Sequence, residues 1–125
     1  EYMSQSPVTV QSDSDYDVAF EIMEKKGMHH LPVVNKNNEV VGIIARRDLQ
    51  LAAQHFREAP VEVSDVMHTP VHTISSGETI SSATRLMIDN RIGGLPVMND
   101  GKHVVGILTE TDLFRALIDL LEAKA

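Results

Sequence analysis

The sequence predicts a mixed α/β (α+β) fold built from two copies of one β-α-β-β-α unit. The main observation is a repeat at an offset of 64 residues, because residues 104–113 match residues 40–49. In both stretches four apolar residues and one glycine lead into a helical pattern, which predicts a buried strand that enters a helix without a loop. Each copy alone is too small to bury a secure core. We therefore expect the two copies to pack sheet to sheet about a pseudo-twofold axis.

The elements of the first copy follow from apolar periodicity and turn residues. Ser14 is a candidate N-cap with Asp17 three residues later, and Gly27 is a candidate helix end. The sequence Asn35-Lys36-Asn37-Asn38 predicts a turn between two strands. The expected order is a strand at residues 8–10, a helix to about residue 26, strands at 31–34 and 40–44, and a helix at about 46–56.

The second copy repeats this order. Ser64 is a candidate cap for a short helix at 63–67, and Asn99-Asp100-Gly101 predicts a hairpin turn. Strands are expected at 71–74, 95–98 and 104–108, and helices at about 79–90 and 110–122. Residues 59–62 form a connector too short to separate independent domains. We therefore divide the chain into repeat 1 at 1–58, expected to be trimmed at its N-terminus because it begins with Glu1, and repeat 2 at 63–125, together one integrated module.

Composition excludes several classes of function. The formal net charge of −7 opposes a nucleic-acid surface, which requires a basic face, and three Phe, two Tyr and no Trp leave few side chains to stack on bases. The lack of cysteine excludes disulfides and thiolate metal sites. No apolar run approaches the ~18 residues of a membrane span, and no signal peptide is visible. We therefore expect a cytoplasmic chain that binds no nucleic acid and has no membrane span.

The chemistry is concentrated where the last strand meets the last helix. Thr109 stands at the helix start, and Asp112 follows one turn later on the same face. A helix N-terminus with a hydroxyl suits a phosphate, and a carboxylate suits a pair of sugar hydroxyls. The alternative is a Thr cap with an Asp that favours the helix dipole. In the first copy Asp48 matches Asp112, but Ala45 replaces Thr109.

These residues resemble the CBS domain, the tandem repeat named after cystathionine β-synthase. The resemblance rests on His30-Leu31-Pro32-Val33 with residues 42–48, and on Gly94-Leu95-Pro96-Val97 with residues 106–112. The family pattern after the strand is Gly, two residues, Thr or Ser, two residues, Asp. The second copy fits it fully, whereas the first departs from it at Ala45. The chain also resembles the CBS part of acetoin-utilisation-type proteins.

The resemblance implies a regulatory, energy-sensing module that binds AMP, ADP or ATP between the repeats, and not an enzyme. It implies no catalytic cofactor, because the nucleotide is a regulatory ligand. Asp112 would hold the ribose hydroxyls, and Thr109 would meet the first phosphate or the ribose. The other implied contacts are an adenine slot near Ile107, Pro96 and Ile74, backbone groups around Thr73 and Leu95, and a close approach at Gly94.

The same resemblance assigns the phosphates to cations of the first repeat, which are His29, His30, Arg46 and Arg47. The alternatives are polar residues at a strand start for the histidines and a solvated face for the arginines. A second, weaker site would use Leu31, Pro32 and Asp48, unless Asp48 only serves the helix start. The remaining histidines lack the spacing of metal ligands, so no metal site is expected.

Two alternatives remain for the function. One is a structural dimerisation module without a ligand, and the other is a regulatory module that binds S-adenosylmethionine. No nucleophile triad, paired carboxylates or P-loop supports an enzyme. A homodimer through the helices is expected, because one small unit cannot cover the apolar stripe of Leu113, Leu117, Leu120 and Leu121.

Overall fold

The structure is a computed structural model that describes residues 8–55, 61–99 and 103–124. The chain divides into two compact units, with the boundary between His72 and Thr73. Each unit contains one three-stranded sheet and its helices. This confirms the predicted mixed α/β class.

The first unit has the predicted β-α-β-β-α order followed by one further short helix. Its sheet has the order β1-β2-β3, with β1 parallel to β2 and β2 antiparallel to β3. The elements are β1 (Val10–Gln11), α1 (Tyr16–Lys26), β2 (His30–Val34), β3 (Val40–Ala45), α2 (Arg46–His55) and α3 (Val63–Val66).

The second unit has the same order and the same pairing. Its sheet runs β4-β5-β6, again with one parallel and one antiparallel pair. The elements are β4 (Ile74–Ser75), α4 (Ile80–Asn90), β5 (Gly94–Asn99), β6 (His103–Thr109) and α5 (Glu110–Ala123). The predicted hairpin turn at 99–101 lies mostly outside the described residues.

The predicted C-terminal end of α1 agrees with the structure, whereas the predicted N-caps of α1 and α3 do not. Gly27 ends α1 in the left-handed conformation, as predicted. The N-cap of α1 is Asp15 and not Ser14, because the Asp15 carboxylate accepts from the Asp17 backbone N–H at 2.9 Å. The N-cap of α3 is Glu62 and not Ser64, since Glu62 forms a capping box with Asp65. The observed cap is therefore an acidic residue one position after the expected serine in α1 and two positions before it in α3.

Each sheet has one face covered by the helices of its own unit. Leu31 lies opposite Ile44 in the first sheet, and Leu95 lies opposite Leu108 in the second. These pairs belong to two apolar cores, which comprise Val10, Ala19, Met23, Leu31, Val33, Ile44, Leu49 and Val63 in the first unit and Ala83, Met87, Leu95, Val97 and Leu108 in the second. The two cores hold the strand-to-helix junctions in equivalent positions.

The apolar residues of the last helix do not all turn inward. Asp112 is the buried residue of α5, whereas Leu117, Leu120 and Leu121 are exposed. This agrees with the expectation that one small unit does not cover the whole apolar stripe of this helix. In α2, the apolar spacing predicts that Leu49, Ala52, Ala53 and Phe56 face the core. Leu49 and Ala52 are buried, Ala53 is exposed, and Phe56 lies outside the described residues. No helix in the described ranges has the length and hydropathy required to span a bilayer.

Candidate functional site

The junction of β6 and α5 places Thr109 at the point where the strand becomes a helix. Thr109 is both the last residue of β6 and the N-cap of α5. Its partner in the sheet is Gly94, and the next backbone N–H, that of Glu110, donates to the Gly93 carbonyl at 3.2 Å. The start of β5 therefore fixes the start of α5, so that the predicted residues Gly94 and Thr109 lie side by side.

Asp112 is held by the same junction. Its Oδ2 accepts hydrogen bonds from the Thr109 backbone N–H at 2.8 Å and from the Thr109 hydroxyl at 3.1 Å. The residue is only 6% exposed. Among the residues that the structure describes, no protein group donates to the second oxygen, Oδ1. A carboxylate oxygen accepts hydrogen bonds, so Oδ1 suits a hydroxyl supplied by a ligand.

The first unit repeats this geometry without the hydroxyl. The Ala45 backbone N–H donates to Asp48 Oδ2 at 2.8 Å, and the Arg46 backbone N–H donates to the His29 carbonyl at 2.8 Å. Asp48 therefore serves the helix start, which is one of the two roles considered for it.

A histidine makes the two junctions chemically different. The His68 Nε2 lies 2.9 Å from Asp48 Oδ1, whereas the Oδ1 of Asp112 has no donor among the described residues. An ionised carboxylate only accepts, so the imidazole N–H is the donor. Both oxygens of Asp48 therefore have protein donors. This role of His68 was not predicted from the sequence, because His68 and Asp48 are 20 positions apart and no local motif connects them.

The apolar residues proposed for the adenine lie on two faces of the second sheet. Ile74 is paired with Val97 and packs against the helix-covered core that contains Leu95. Pro96 and Ile107 lie opposite one another in β5 and β6, and each is adjacent in sequence to a residue of that core. Since side chains alternate across a strand, Pro96 and Ile107 occupy the opposite face. Both are buried.

Thr73 and Ile74 do share a surface feature. They line a cavity of about 300 Å³ at the edge strand β4. The other lining residues are Ser75, Glu78, Ser82, Leu86 and Met98. Thr109 and Asp112 are not among them, so the structure groups the predicted ligand residues into a junction pair and an edge-strand pair. In the first unit, Leu31 and Pro32 are buried in β2.

The four predicted phosphate-binding residues have different surroundings. Arg46 forms an ion pair with Glu24, and its guanidinium carbon lies 5.5 Å from the centre of the Phe20 ring. His30 is half-buried in β2, with Ala45 opposite it. His29 and Arg47 are exposed. Arg46 is thus engaged within its own unit, whereas Arg47 is the exposed arginine of the set.

Among the described side chains, no group of three or more His, Asp or Glu residues is arranged to hold a metal ion.

Comparison with known proteins identifies the family. The CBS domain model matches residues 1–55 and 63–119. A CBS domain-containing protein of Dictyostelium discoideum is 34% identical over 131 residues, which cover 96% of this chain and 90% of that protein. The chain spans 41% of the length of a relative from Methanocaldococcus jannaschii and 54% of one from Methanopyrus kandleri.

Solved structures give the same result. The CBS domain pair of protein MJ0100, in complex with 5'-methylthioadenosine and S-adenosyl-L-methionine, is 29% identical with a TM-score of 0.85, covering 94% of this chain and 93% of that one. The acetoin utilization protein AcuB from Vibrio cholerae is 29% identical with a TM-score of 0.85, covering 98% of this chain and 92% of that one. The matched motifs, the repeated topology and these likenesses together show that the chain belongs to the CBS domain family and carries two copies of the domain.

Proposed function

We propose that this chain is a regulatory module that binds an adenosine nucleotide, AMP, ADP or ATP, at the junction of β6 and α5. The observation that carries the proposal is the Asp112 carboxylate, whose Oδ2 is held by Thr109 and whose Oδ1 has no donor among the described residues. A ribose offers hydroxyl donors to such an oxygen, as it does to the acidic residue of dinucleotide-binding folds. The ligand would be a regulatory signal, and the module would have no catalytic role of its own.

The remaining contacts are assigned from the family pattern. Thr109 would meet the ribose or the first phosphate, with Gly94 beside it. The base would lie against Pro96 and Ile107, which share one face of the sheet, with backbone groups around Thr73 and Leu95 at its edge. Ile74, the third residue of the expected adenine slot, packs on the other face and is not assigned to it. For the phosphates we keep the assignment to His29, His30, Arg46 and Arg47. The pairing of Arg46 with Glu24 makes Arg47 the first of these to test.

A second ligand class is favoured by one comparison. The CBS pair of MJ0100 is 29% identical to this chain and is described in complex with 5'-methylthioadenosine and S-adenosyl-L-methionine. These compounds share the adenosine part with AMP and lack phosphates. The Asp112 proposal covers both classes, because it concerns the ribose. The phosphate assignment applies to nucleotides alone.

The test compares Asp112→Asn with Asp48→Asn by titration calorimetry with adenosine, AMP, ADP, ATP and S-adenosylmethionine. In each variant the amide oxygen still accepts from the backbone N–H of the helix start, so that the fold is preserved. A hydrogen bond to a charged group contributes roughly 1.5–3 kcal/mol, which corresponds to about one to two decades of affinity. We expect this loss for Asp112→Asn and a much smaller one for Asp48→Asn. Equal losses would contradict the assignment of the site to the second repeat.

A structural dimerisation module is the second candidate function. An apolar groove of about 700 Å³ runs between α4 and α5. Its lining includes Ile80, Ile88, Phe114, Leu117 and Leu120, all of which are exposed. Exposed apolar surface of this extent is typical of an interface. We propose that a second copy of the chain covers it, and this proposal stands with or without a ligand at Asp112.

A further inference from the structure

The two repeats carry the same carboxylate at the same helix position, and among the residues that the structure describes only Asp48 has a donor to each of its oxygens. Asp48 Oδ2 accepts from the Ala45 N–H, and Asp48 Oδ1 lies 2.9 Å from His68 Nε2. Asp112 has the equivalent cap bond through Oδ2, and in the described part of the chain no side chain plays the part of His68. The difference between Asp48 and Asp112 is therefore the donor to Oδ1, which comes from His68, a residue outside the repeated junction.

The backbone of His68 is fixed to the first sheet. Its N–H donates to the Ile43 carbonyl at 2.8 Å, and its carbonyl accepts from the Ile43 N–H at 3.3 Å. Gly42 allows this close approach, because a Cβ there would lie 2.5 Å from Met67 Sδ and 3.1 Å from the His68 carbonyl. These contacts place the imidazole next to the first turn of α2, which contains Asp48.

The side chain of His68 is less constrained than its backbone. It is 66% exposed, whereas the Asp48 side chain is 15% exposed. Rotation about the side-chain bonds of an exposed histidine is fast and needs no backbone movement. The ring can therefore leave the carboxylate while the strand pairing with Ile43 remains.

We infer that His68 occupies the hydroxyl-binding position of Asp48 and so blocks a second nucleoside site in the first repeat. The ligand class of that site is an adenosine compound with free ribose hydroxyls. A ribose hydroxyl reaches Oδ1 only after the imidazole has moved, so ligand and His68 compete for one oxygen. The inference rests on the proposed function, because it uses Asp112 as the unblocked copy of the same site.

The experiment measures adenosine and AMP binding by titration calorimetry on the full chain, in an Asp112→Asn background that removes the second-repeat site. His68→Ala in this background is expected to raise adenosine affinity by about tenfold or more. Adding Asp48→Asn should cancel this gain. His68→Ser is a second variant, since Ser4 stands at the matching position 64 residues earlier in the sequence. His103→Ala, which removes an exposed histidine of β6, is the matched control and should have no effect.

The outcomes separate the two claims. Binding to the wild type, with no gain from His68→Ala or His68→Ser in folded protein, overturns the role of His68 and leaves the Asp112 site in place. A gain in the His68 variants without binding to the wild type supports the blocked site and overturns the proposed function at Asp112. Absence of binding in every folded variant overturns both. A gain that survives Asp48→Asn also overturns the inference, because it places the new site elsewhere.

Discussion

Thr109 donates two hydrogen bonds to a single oxygen of Asp112, from its backbone N–H at 2.8 Å and from its hydroxyl at 3.1 Å. One oxygen of the carboxylate therefore serves the start of α5, and the other is the oxygen to which we assign the ribose of the proposed ligand. A substitution of Asp112 affects both roles, so binding experiments at this junction require a measurement of stability beside them.

Thr109→Ala converts the second junction into the chemistry of the first, where Ala45 takes the same position. The backbone N–H still donates to Asp112, as the Ala45 N–H does to Asp48. We expect unfolding free energy to fall by about 1 kcal/mol, the usual cost of losing a Thr cap. Adenosine affinity should fall by about tenfold, since a hydroxyl that orients Asp112 is lost. Urea denaturation and titration calorimetry measure the two effects.

Ala45→Thr is the reciprocal control for this prediction. It adds a hydroxyl beside Asp48, whose Oδ1 is already bonded to His68. We expect little change in adenosine affinity. If Ala45→Thr alone created a strong second site, the contact with His68 would not be what limits binding in the first repeat.

Gly42→Ala should destabilise the first unit. A Cβ at Gly42 would lie 2.5 Å from Met67 Sδ and 3.1 Å from the His68 carbonyl, so that Met67 and the His68 backbone must shift. Overpacking of this kind costs typically about 1–3 kcal/mol. Gly77→Ala is the matched control, because a Cβ at Gly77 meets no atom within 4 Å. Its effect should be smaller than about 0.5 kcal/mol in urea denaturation. If the two variants lose the same unfolding free energy, the segment around Met67 shifts to accommodate the added Cβ without destabilising the unit.

Leu117→Glu should convert a homodimer into a monomer. Leu117 is exposed and lines the apolar groove between α4 and α5. A charge there would be buried without a partner in a dimer interface, which is strongly unfavourable. Ser81→Glu adds the same charge at an exposed position of α4 that does not line the groove, and it should leave the dimer intact. Sedimentation velocity at micromolar concentration checks both variants. A wild-type chain that sediments as a monomer would refute the dimer itself.

Arg47→Ala should reduce the discrimination between ADP and adenosine. The chain is acidic overall, so binding of an anionic ligand requires a local group of cations. Arg47 is exposed, whereas Arg46 is paired with Glu24. We expect ADP affinity to fall by about tenfold and adenosine affinity to remain unchanged, because adenosine has no phosphate. Titration calorimetry at two salt concentrations measures this, with a smaller salt dependence expected for the variant.

Arg115→Ala, an exposed arginine of α5, is the control for the loss of one positive charge. If both arginine variants weaken ADP binding equally, the effect comes from the overall field and not from a contact. If Arg47→Ala discriminates between ADP and adenosine as strongly as the wild type, Arg47 is a solvated surface charge.

The sequence by itself determined the fold class, the order of the elements and the junction chemistry. These features are local, because apolar spacing sets the strands and helices, and a Thr with an Asp three residues later sets a helix start. The 64-residue repeat then predicts the same topology twice. The cap of α1 was misplaced by one residue, since Ser14 and Asp15 are both suitable caps and local sequence does not choose between them.

The contact that distinguishes Asp48 from Asp112 among the described residues depends on tertiary packing. The contact between His68 and Asp48 joins residues 20 positions apart, and it depends on the pairing of His68 with Ile43 and on the space above Gly42. The same holds for Arg46, whose partners Glu24 and Phe20 lie on α1. Such contacts arise from the packing of one element on another, so they cannot be predicted from the spacing of residues along the chain.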